Sequence, residues 1–299
     1  MSALYWFTRG ASELARWTPR TIRHGLGSAI GVGSYLGWRA KRRVTQQNMA
    51  IVAARPVSDA YVRHLAFASW CNYGRYAADF INFANVDMAI VEPTIRDLTQ
   101  GASRWQEHLD YALQAGRGAV ITTAHFGNWD MAGAVHATHT SLFAVAETFN
   151  DTRLNTYLQQ LRIEKGIGIL PMEGSARRIL RVLQQNQSVA FVVDRPLEVG
   201  QGVPVTFFGH TTYVPSGPAA LALKSGAAIM PGYVWYGQHH QFNLRVFPPV
   251  FPGERKDKTE EVIRLTQYIY DTLEEMVRTC PTQWYMFRPF WPTPSATKA

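Results

Sequence analysis

The chain has few cysteines and no cysteine or histidine pattern typical of a metal site. Its two cysteines, Cys71 and Cys280, are far apart, and neither belongs to a C-x-x-C pair. Isolated cysteines of this kind are typical of a protein that faces the cytosol, where they serve as small buried side chains and do not form a disulfide framework. His136 and His139 are three residues apart, but the sequence offers them no evident carboxylate or cysteine partner. We therefore expect no metal site.

Three common catalytic signatures are also missing. The sequence contains no G-x-S-x-G serine elbow, no P-loop G-K-[ST] and no H-E-x-x-H. Their absence argues against a serine hydrolase of the elbow type, a P-loop enzyme and a zinc metalloprotease. Several glycines recur between residues 25 and 37, but no predicted strand precedes them. They favour close helix packing, or a segment that lies near lipid, over a dinucleotide site.

Charged residues are scarce, at 17% of the chain, and they are unevenly distributed. Residues 1–43 contain eight basic residues and one acidic residue, so this segment carries +7 of the net charge of +8. Apolar and aromatic side chains are interleaved with the arginines, as in segments that lie on an anionic membrane surface. The alternative is an arm that binds nucleic acid. We expect no nucleic-acid partner, because tryptophan and leucine predominate between the charges and lysine is nearly absent.

Long apolar runs are absent from the same segment. Its longest uncharged stretch, residues 25–38, has 14 residues and is rich in glycine. A membrane-spanning helix needs about 20 residues. The interspersed charges also differ from the pattern of a signal peptide. We expect a peripheral or monotopic protein at the cytoplasmic face of the cell membrane.

The remainder of the chain alternates between short apolar runs and helical patterns. Unbroken β-rich runs that alternate with helices indicate a sheet covered on both faces. We predict a single α/β domain, residues 46–299, with a central mixed, largely parallel β-sheet flanked by helices. A helical, basic, membrane-associating segment, residues 1–45, precedes it. Strands are predicted at 119–123, 142–146, 167–170, 189–193, 228–234 and 242–247, and helices near 58–83, 103–115, 152–164, 174–186, 216–225 and 258–279.

Residues 122–130, T-T-A-H-F-G-N-W-D, are the segment richest in reactive side chains. They follow a predicted strand, and ligands in open α/β sheets gather at the carboxyl ends of strands. A histidine that accepts a proton needs a carboxylate to fix its tautomer. Five positions on one helix separate two side chains by about 140°, so His125 and Asp130 can pair only if His125 lies in the turn before the helix. The alternative is a core histidine and a helix-capping aspartate.

His125-Phe126-Gly127-Asn128-Trp129-Asp130 resembles the His-x4-Asp motif of the glycerolipid acyltransferase superfamily. The residues that fill the motif, H-F-G-N-W-D, resemble those of its bacterial branch, the lipid A late acyltransferases and the mycobacterial phosphatidylinositol mannoside acyltransferases. Further blocks resemble this branch in the same order, and the resemblance spans residues 40–291. These blocks are V-A-E at 145–147 with Arg162 and Gly166, Asp194-Arg195 with G-V at 202–203 and F-F-G at 207–209, P-S-G-P-A at 215–219 with G-A at 226–227 and Pro231, and P-T-Q-W-Y-M-F at 281–287, with Arg43, Asn48 and N-Y-G at 72–74 upstream.

The resemblance implies an O-acyltransferase without a cofactor. A long-chain fatty acyl group would move from a thioester donor, acyl-CoA or acyl carrier protein, to a hydroxyl of a membrane glycolipid or phospholipid. His125 would be the general base and Asp130 its orienting carboxylate. Backbone N–H groups of the Gly127 turn, or Arg162, would stabilise the oxyanion of the tetrahedral intermediate.

Five residues are predicted to bind substrate: Asn128, Glu147, Arg162, Arg195 and Glu198. Arg195 suits a phosphate because its guanidinium is a rigid fork of donors. An ion pair between Glu147 and Arg162 is the alternative for those two, and Asp194 is expected to pair with Arg195.

The chain departs from the mannoside acyltransferases at one position. Those enzymes carry a catalytic glutamate near the place where this chain has Pro204, and Glu198 is the candidate replacement. Two other functions also remain open on sequence alone. One is an esterase or thioesterase that uses the same pair on water, and the other is a non-catalytic lipid-binding protein.

Overall fold

Long helices form the first part of the chain in the computed structural model, which describes residues 3–148, 150–238, 241–254 and 257–292. α4 begins as predicted, because the side chain of Asp59 accepts a hydrogen bond from the N–H of Tyr61 and caps the helix. α3 runs through residue 45, so the division into segments 1–45 and 46–299 stays a prediction. These helices are α1 (Ala3–Trp17), α2 (Arg20–Gly37), α3 (Arg39–Ala53) and α4 (Ala60–Ile81).

α2 and α4 cross with their backbones in contact. A Cβ atom on Gly74 would lie 1.9 Å from the carbonyl oxygen of Gly27. A Cβ atom on Gly31 would lie 2.2 Å from the carbonyl oxygen of Trp70. Only glycine fits at these positions, so Gly27 and Gly31 serve the close helix packing that the sequence indicates, whereas a Cβ atom on Gly25, Gly33 or Gly37 would meet nothing within 4 Å.

The centre of the described structure is a seven-stranded sheet. Its strands are β1 (Arg96–Asp97), β2 (Ala119–Thr123), β3 (Leu142–Ala146), β4 (Ile167–Pro171), β5 (Ser188–Val192), β8 (Ala228–Tyr236) and β9 (Phe242–Val246), in the order β1-β9-β8-β2-β5-β3-β4. Only β8 and β9 pair antiparallel within this sheet, and the other neighbours are parallel. A separate antiparallel hairpin joins β6 (Val203–Phe207) to β7 (His210–Val214).

Helices cover both faces of the sheet. Alternate residues of a strand face opposite sides, and accordingly Val120 belongs to one buried apolar cluster while Ile121 belongs to the other. The predicted α/β class, with a mixed and largely parallel central sheet flanked by helices, is confirmed. The helices that follow α4 are α5 (Met88–Val91), α6 (Trp105–Leu113), α7 (Trp129–Ala137), α8 (Thr152–Ile163), α9 (Ala176–Gln184), α10 (Gly217–Ser225) and α11 (Lys258–Thr279), with 3₁₀ turns at Phe83–Asn85, Glu92–Thr94 and Pro281–Gln283.

All six predicted strands form, each within two residues of its expected ends, whereas β1 and the β6–β7 hairpin were not predicted. β6 alternates between buried and exposed residues, but it contains Pro204. Proline has no N–H to donate to a hydrogen bond of a sheet, so a proline within an apolar run argues against predicting a strand there. It is tolerated here because the hairpin has only two strands.

Parallel pairing brings several loops to one edge of the sheet. β2, β5, β3 and β4 are parallel neighbours, so their carboxyl ends meet. His125 follows β2, Asp194 follows β5 and Glu147 follows β3. Three chemically active side chains from distant parts of the sequence therefore start from the same edge. In the described ranges, no helix combines the length and apolar character needed to cross a membrane.

Candidate active site

His125 lies in a tight turn between β2 and α7. Gly127 has φ +57°, and a Cβ atom there would lie 2.2 Å from the carbonyl oxygen of Val234. The N–H of Gly127 donates to the carbonyl of Gln283 (2.9 Å), and the N–H of Asn128 donates to the carbonyl of Val234 (2.8 Å). These contacts fix the turn against β8 and the C-terminal segment. His125 therefore lies in the turn before α7, which is the placement that a contact with Asp130 would require.

The carboxylate that contacts the His125 imidazole belongs to Asp194. Oδ1 of Asp194 lies 2.8 Å from Nδ1 of His125, and the backbone N–H of His125 donates to both carboxylate oxygens at 3.0 and 3.1 Å. The indole N–H of Trp284 donates to Oδ2 at 3.0 Å. Burial disfavours the charged carboxylate, but the interactions with His125 and Trp284 outweigh it and lower the pKa of Asp194. Asp194 is therefore ionised at neutral pH.

The other ring nitrogen of His125 is available. An ionised carboxylate only accepts hydrogen bonds, so in the neutral imidazole Nδ1 carries the ring hydrogen and Nε2 has the free lone pair. The imidazole is 40% exposed, and Nε2 has no hydrogen-bond partner among the residues that the structure describes. The ring of Trp129 lies edge-on to it, with 5.2 Å between centroids. This imidazole can accept a proton from a hydroxyl that approaches from solvent.

Asp130 lies in the first turn of α7, as predicted, but its side chain faces other partners. The hydroxyl of Tyr76 donates to Oδ2 (2.6 Å), and Nε of Arg162 donates to Oδ1 (2.6 Å). The expectation that Asp130 orients His125 is therefore corrected. His125 precedes α7, whereas Asp130 extends from the helix towards α4 and α8, so the two side chains leave the backbone in different directions.

Two residues predicted to bind substrate are instead used inside the protein. Asn128 is 2% exposed. Its Oδ1 accepts from the N–H of Met131 and caps α7, and its Nδ2 donates to the hydroxyl of Tyr236 (3.4 Å). Arg162 is mostly buried, and besides Asp130 it donates from Nη1 to Gln159 (3.0 Å). Both side chains hold the start of α7 against neighbouring elements, Asn128 against β8 and Arg162 against α8.

The predicted oxyanion donors are engaged for the same reason. The N–H of Gly127 already donates to Gln283, and the guanidinium of Arg162 is held by Asp130 and Gln159. The tight turn aims the backbone N–H groups at neighbouring segments of the protein.

Three predicted residues remain accessible at the sheet edge. Glu147 and Arg195 form a partly exposed ion pair across the ends of β3 and β5. Neither expected alternative is formed, because Arg162 pairs with Asp130 and Asp194 contacts His125. Glu198 is exposed in the loop after β5, and its carboxylate makes no hydrogen bond or ion pair with the residues that the structure describes. Substrate binding by Glu147, Arg195 and Glu198 stays a prediction.

Sequence reasoning missed Tyr76 and Trp284 as contacts of the two aspartates. Burial raises the pKa of Tyr76 well above its ordinary value, so its hydroxyl stays a donor to Asp130. Its ring also packs 3.8 Å from that of Trp129. On sequence, Tyr76 belongs only to the helix predicted near residues 58–83, and the only signal for Trp284 was its position in the block at 281–287.

A histidine partner was missed as well. His139 contacts Glu92, which is 47 residues earlier in the sequence, although no carboxylate partner was evident from spacing. In the described ranges, no group of three histidine, cysteine, aspartate or glutamate side chains is close enough to hold a metal ion.

Known proteins resemble the chain over most of its length. The sequence matches the family model described as "Bacterial lipid A biosynthesis acyltransferase" over residues 1–293. The phosphatidylinositol mannoside acyltransferase of Mycolicibacterium smegmatis is 30% identical over 285 residues, covering 93% of this chain and 88% of that protein. The protein of the same name from Mycobacterium tuberculosis is 31% identical over 252 residues, covering 82% of this chain and 76% of that protein.

Among solved structures, the chain is similar to the 1-acyl-sn-glycerophosphate (LPA) acyltransferase PlsC from Thermotoga maritima. The TM-score is 0.39 and the sequence identity 13%, with 86% of this chain and 98% of that chain covered. The match to the family model spans nearly the whole sequence and includes the His-x4-Asp segment. The chain therefore belongs to the bacterial lipid A biosynthesis acyltransferase family.

Proposed function

We propose that this protein transfers a long-chain fatty acyl group from a thioester to a hydroxyl of a membrane glycolipid or phospholipid. The donor is acyl-CoA or acyl carrier protein, and His125 is the general base. The observation that carries the proposal is the state of the imidazole: Nδ1 is held by a buried carboxylate, while Nε2 is unengaged and the ring is 40% exposed. Family membership supports the acyl-transfer chemistry.

In the proposed reaction, Nε2 of His125 takes the proton of the acceptor hydroxyl as its oxygen attacks the thioester carbonyl. The tetrahedral intermediate then collapses, the C–S bond breaks, and the imidazolium returns the proton to the thiolate. The products are an ester and a free thiol. No covalent acyl-enzyme, cofactor or metal is required, because the thioester itself is the activated group.

The N-terminus of α7 supports the developing oxyanion in this proposal. The first N–H groups of a helix lack intrahelical partners and carry a partial positive charge. α7 begins four residues after His125. An oxyanion formed beside the imidazole would lie near this end of the helix, which suits transition-state stabilisation.

Glu147, Arg195 and Glu198 are proposed to contact the polar part of a substrate. They lie at the carboxyl ends of β3 and β5 or in the loop that follows, next to the strand end that bears Asp194. The guanidinium of Arg195 is a suitable ligand for a phosphate. Both the thioester donors and phospholipid acceptors carry phosphate, so this residue would contribute to binding rather than to the chemical step.

The N-terminal helices are proposed to hold the protein on the cytoplasmic face of the cell membrane. The exposed face of α2 is apolar, whereas its opposite face is buried on α4. α1 adds exposed apolar side chains next to the exposed arginines Arg9 and Arg16. An apolar face bordered by cations fits an anionic lipid surface. The exposed apolar side chains of the two helices are Leu4, Trp6, Phe7, Leu14, Trp17, Ile22, Leu26, Ile30 and Leu36.

The experiment compares the full chain with His125→Ala and with the matched control His139→Ala. Each protein is incubated with palmitoyl-CoA or palmitoyl-carrier protein, with and without vesicles that contain phosphatidylinositol mannosides or a lipid A precursor. Free thiol and the masses of all lipids are measured. We expect thiol release that depends on acceptor lipid and a gain of one acyl group, lowered about 10²–10⁴-fold in His125→Ala and retained in His139→Ala.

Other outcomes point to other functions. Thiol release that needs no acceptor and yields only free fatty acid would indicate an esterase or thioesterase. Vesicle binding without thiol release from either donor would indicate a non-catalytic lipid-binding protein. Equal transfer by the wild type and His125→Ala would refute His125 as the base.

A further inference from the structure

Two buried aspartates lie near His125, and their partners differ completely. Asp194 contacts the imidazole and backbone of His125 and the indole of Trp284. Asp130 contacts Tyr76 and Arg162. The His-x4-Asp spacing suggests that Asp130 contacts His125, whereas in the structure Asp194 makes that contact. The roles of the two carboxylates can therefore be assigned separately.

Asp194 has the geometry of an orienting group. Its carboxylate has no exposed surface, and each of its oxygens accepts two hydrogen bonds. Three of these four bonds come from His125 itself, one from the ring and two from the backbone N–H. The fourth comes from Trp284, whose own carbonyl accepts a bond from Ser69 on α4 (2.8 Å). The imidazole is thus fixed to a carboxylate that cannot rotate away.

Asp130 has the geometry of an anchor between helices. It extends from α7, Tyr76 reaches it from α4, and Arg162 reaches it from α8. The guanidinium of Arg162 also lies over the ring of Phe80, 4.9 Å from its centroid. Three helices therefore meet at a buried carboxylate that is already saturated by charged and polar donors.

We propose that Asp194 is the residue that positions His125 for catalysis, by fixing the hydrogen on Nδ1 and leaving Nε2 as the base. Asp130 instead joins α4, α7 and α8 and acts on the imidazole only through the fold. This inference rests on the proposed acyl transfer, and it assigns to a residue outside the His-x4-Asp spacing the part that the spacing gives to Asp130.

The substitution Asp194→Asn tests the assignment without changing the side-chain shape. The indole N–H of Trp284 donates to Oδ2 and requires an oxygen there. The backbone N–H of His125 reaches both oxygens and can keep its bond to that same oxygen. The amide NH₂ must then face Nδ1 of His125. Nδ1 then accepts a hydrogen bond from the amide and cannot carry the ring hydrogen. The ring therefore changes to the Nε2–H tautomer, and the exposed Nε2 can no longer accept a proton from a hydroxyl.

The experiment measures kcat for acyl transfer and the tautomer of His125 in the same preparations. The tautomer is read by two-bond ¹H–¹⁵N correlations in protein labelled with ¹⁵N-histidine, and His125→Ala identifies the signals among the nine histidines. We expect an Nδ1–H ring in the wild type and an Nε2–H ring in Asp194→Asn. The kcat should fall on the order of 10³–10⁴-fold, with an unchanged Tm within a few degrees and an unchanged KM for the donor.

Asp130→Asn and Tyr76→Phe are the contrasting variants. Asp130→Asn leaves the charge of Arg162 without its full partner and can unfold the protein. Tyr76→Phe removes one bond to the same carboxylate and keeps the charge pair. Both variants, where folded, should keep the Nδ1–H tautomer, and Tyr76→Phe should keep kcat within about tenfold of the wild type.

The results separate this assignment from the proposed reaction. A tautomer change in Asp194→Asn supports the role of Asp194 even if the wild type transfers no acyl group, and then only the reaction is refuted. An Nε2–H ring in the wild type overturns the assignment. So does an Asp194→Asn variant with the wild-type tautomer and kcat, or a tautomer change caused by Tyr76→Phe.

Discussion

At the scale of single residues, the charge state of a buried ionisable group depends on its hydrogen-bond and ion-pair partners. Asp130 and Asp194 are both buried carboxylates, but one is paired with a guanidinium and the other with an imidazole. Neither partner is predictable from the residue type. A buried charge keeps its charge only where donors compensate for the lost water, and both sites provide them.

His136 is a buried group without such compensation. Desolvation, with a smaller contribution from His139, lowers the pKa of the His136 imidazole to about 3, and Nε2 has no hydrogen-bond partner. An unfolded histidine titrates near about 6.5. Between these two values the unfolded state binds a proton that the folded state does not. Folding stability therefore falls as the pH drops below about 6.5.

We predict that His136→Leu removes this contribution to acid sensitivity. The free energy of unfolding of the wild type, relative to the variant, should fall by about 1–2 kcal/mol between about pH 7.5 and pH 5.5. Urea denaturation at each pH measures it. His64→Leu is the control, because it removes a histidine that is exposed on α4, and it should retain the wild-type pH dependence. A stability difference between the wild type and His136→Leu that is constant over this range would refute the prediction.

At the scale of secondary-structure elements, α4 connects the N-terminal helices to the site. One side of it packs on α2 through Gly74, and Tyr76, two residues later, reaches Asp130. Ser69 and Asn72 donate to carbonyls of the C-terminal segment, at Trp284 and Thr282 respectively. The position of the candidate site thus depends on one helix whose contacts lie in three different parts of the chain.

We predict that Gly74→Ala lowers the free energy of unfolding by about 1–3 kcal/mol, because the added methyl group overlaps the backbone of α2 at Gly27. Gly33→Ala is the matched control. Gly33 is also in a helix, but a Cβ atom there meets nothing within 4 Å. Alanine should raise the free energy of unfolding at that position by about 0.5–1 kcal/mol. Chemical denaturation of both variants measures the difference, and equal changes in the two would contradict the close crossing.

At the scale of the whole molecule, charge and apolar surface are concentrated at the N-terminus. Residues 1–43 carry +7 of the net +8, and α1 and α2 expose a row of apolar side chains beside these charges. The remainder of the sequence is nearly neutral. An uneven distribution of this kind would turn one side of the protein towards an anionic surface.

We predict that Ile30→Glu weakens binding to vesicles of anionic lipid by at least about tenfold, since an isoleucine in the apolar face contributes about 1.5–3 kcal/mol when it is removed from water. Ile90→Glu is the control, because Ile90 is equally exposed, 68% against 66%, but lies on α5. Co-sedimentation at low and high salt measures the affinity. Equal loss in both variants would show that the face of α2 is not the contact surface.

The sequence by itself determined the local features of this protein. Short unbroken apolar runs predicted the six strands, and their alternation with helical patterns predicted the α/β class. Glycine spacing indicated the close helix crossing. The His-x4-Asp block and the blocks that follow it predicted the family, which is confirmed. The same segment also placed His125 in a turn and Asp130 in the first turn of a helix. Each of these features depends on residues that are neighbours along the chain.

Only the tertiary structure decided which side chains meet. Asp194 is 69 residues from His125, and the two come together because β2 and β5 are parallel neighbours in the sheet. Spacing pointed to Asp130 because it is close in sequence, but α7 directs that side chain to Tyr76 and Arg162. An apolar run in the sequence predicts a strand but not which strands lie beside it, because strand order is set by how all the elements pack together. The partner of the histidine therefore follows from sheet order and not from the motif.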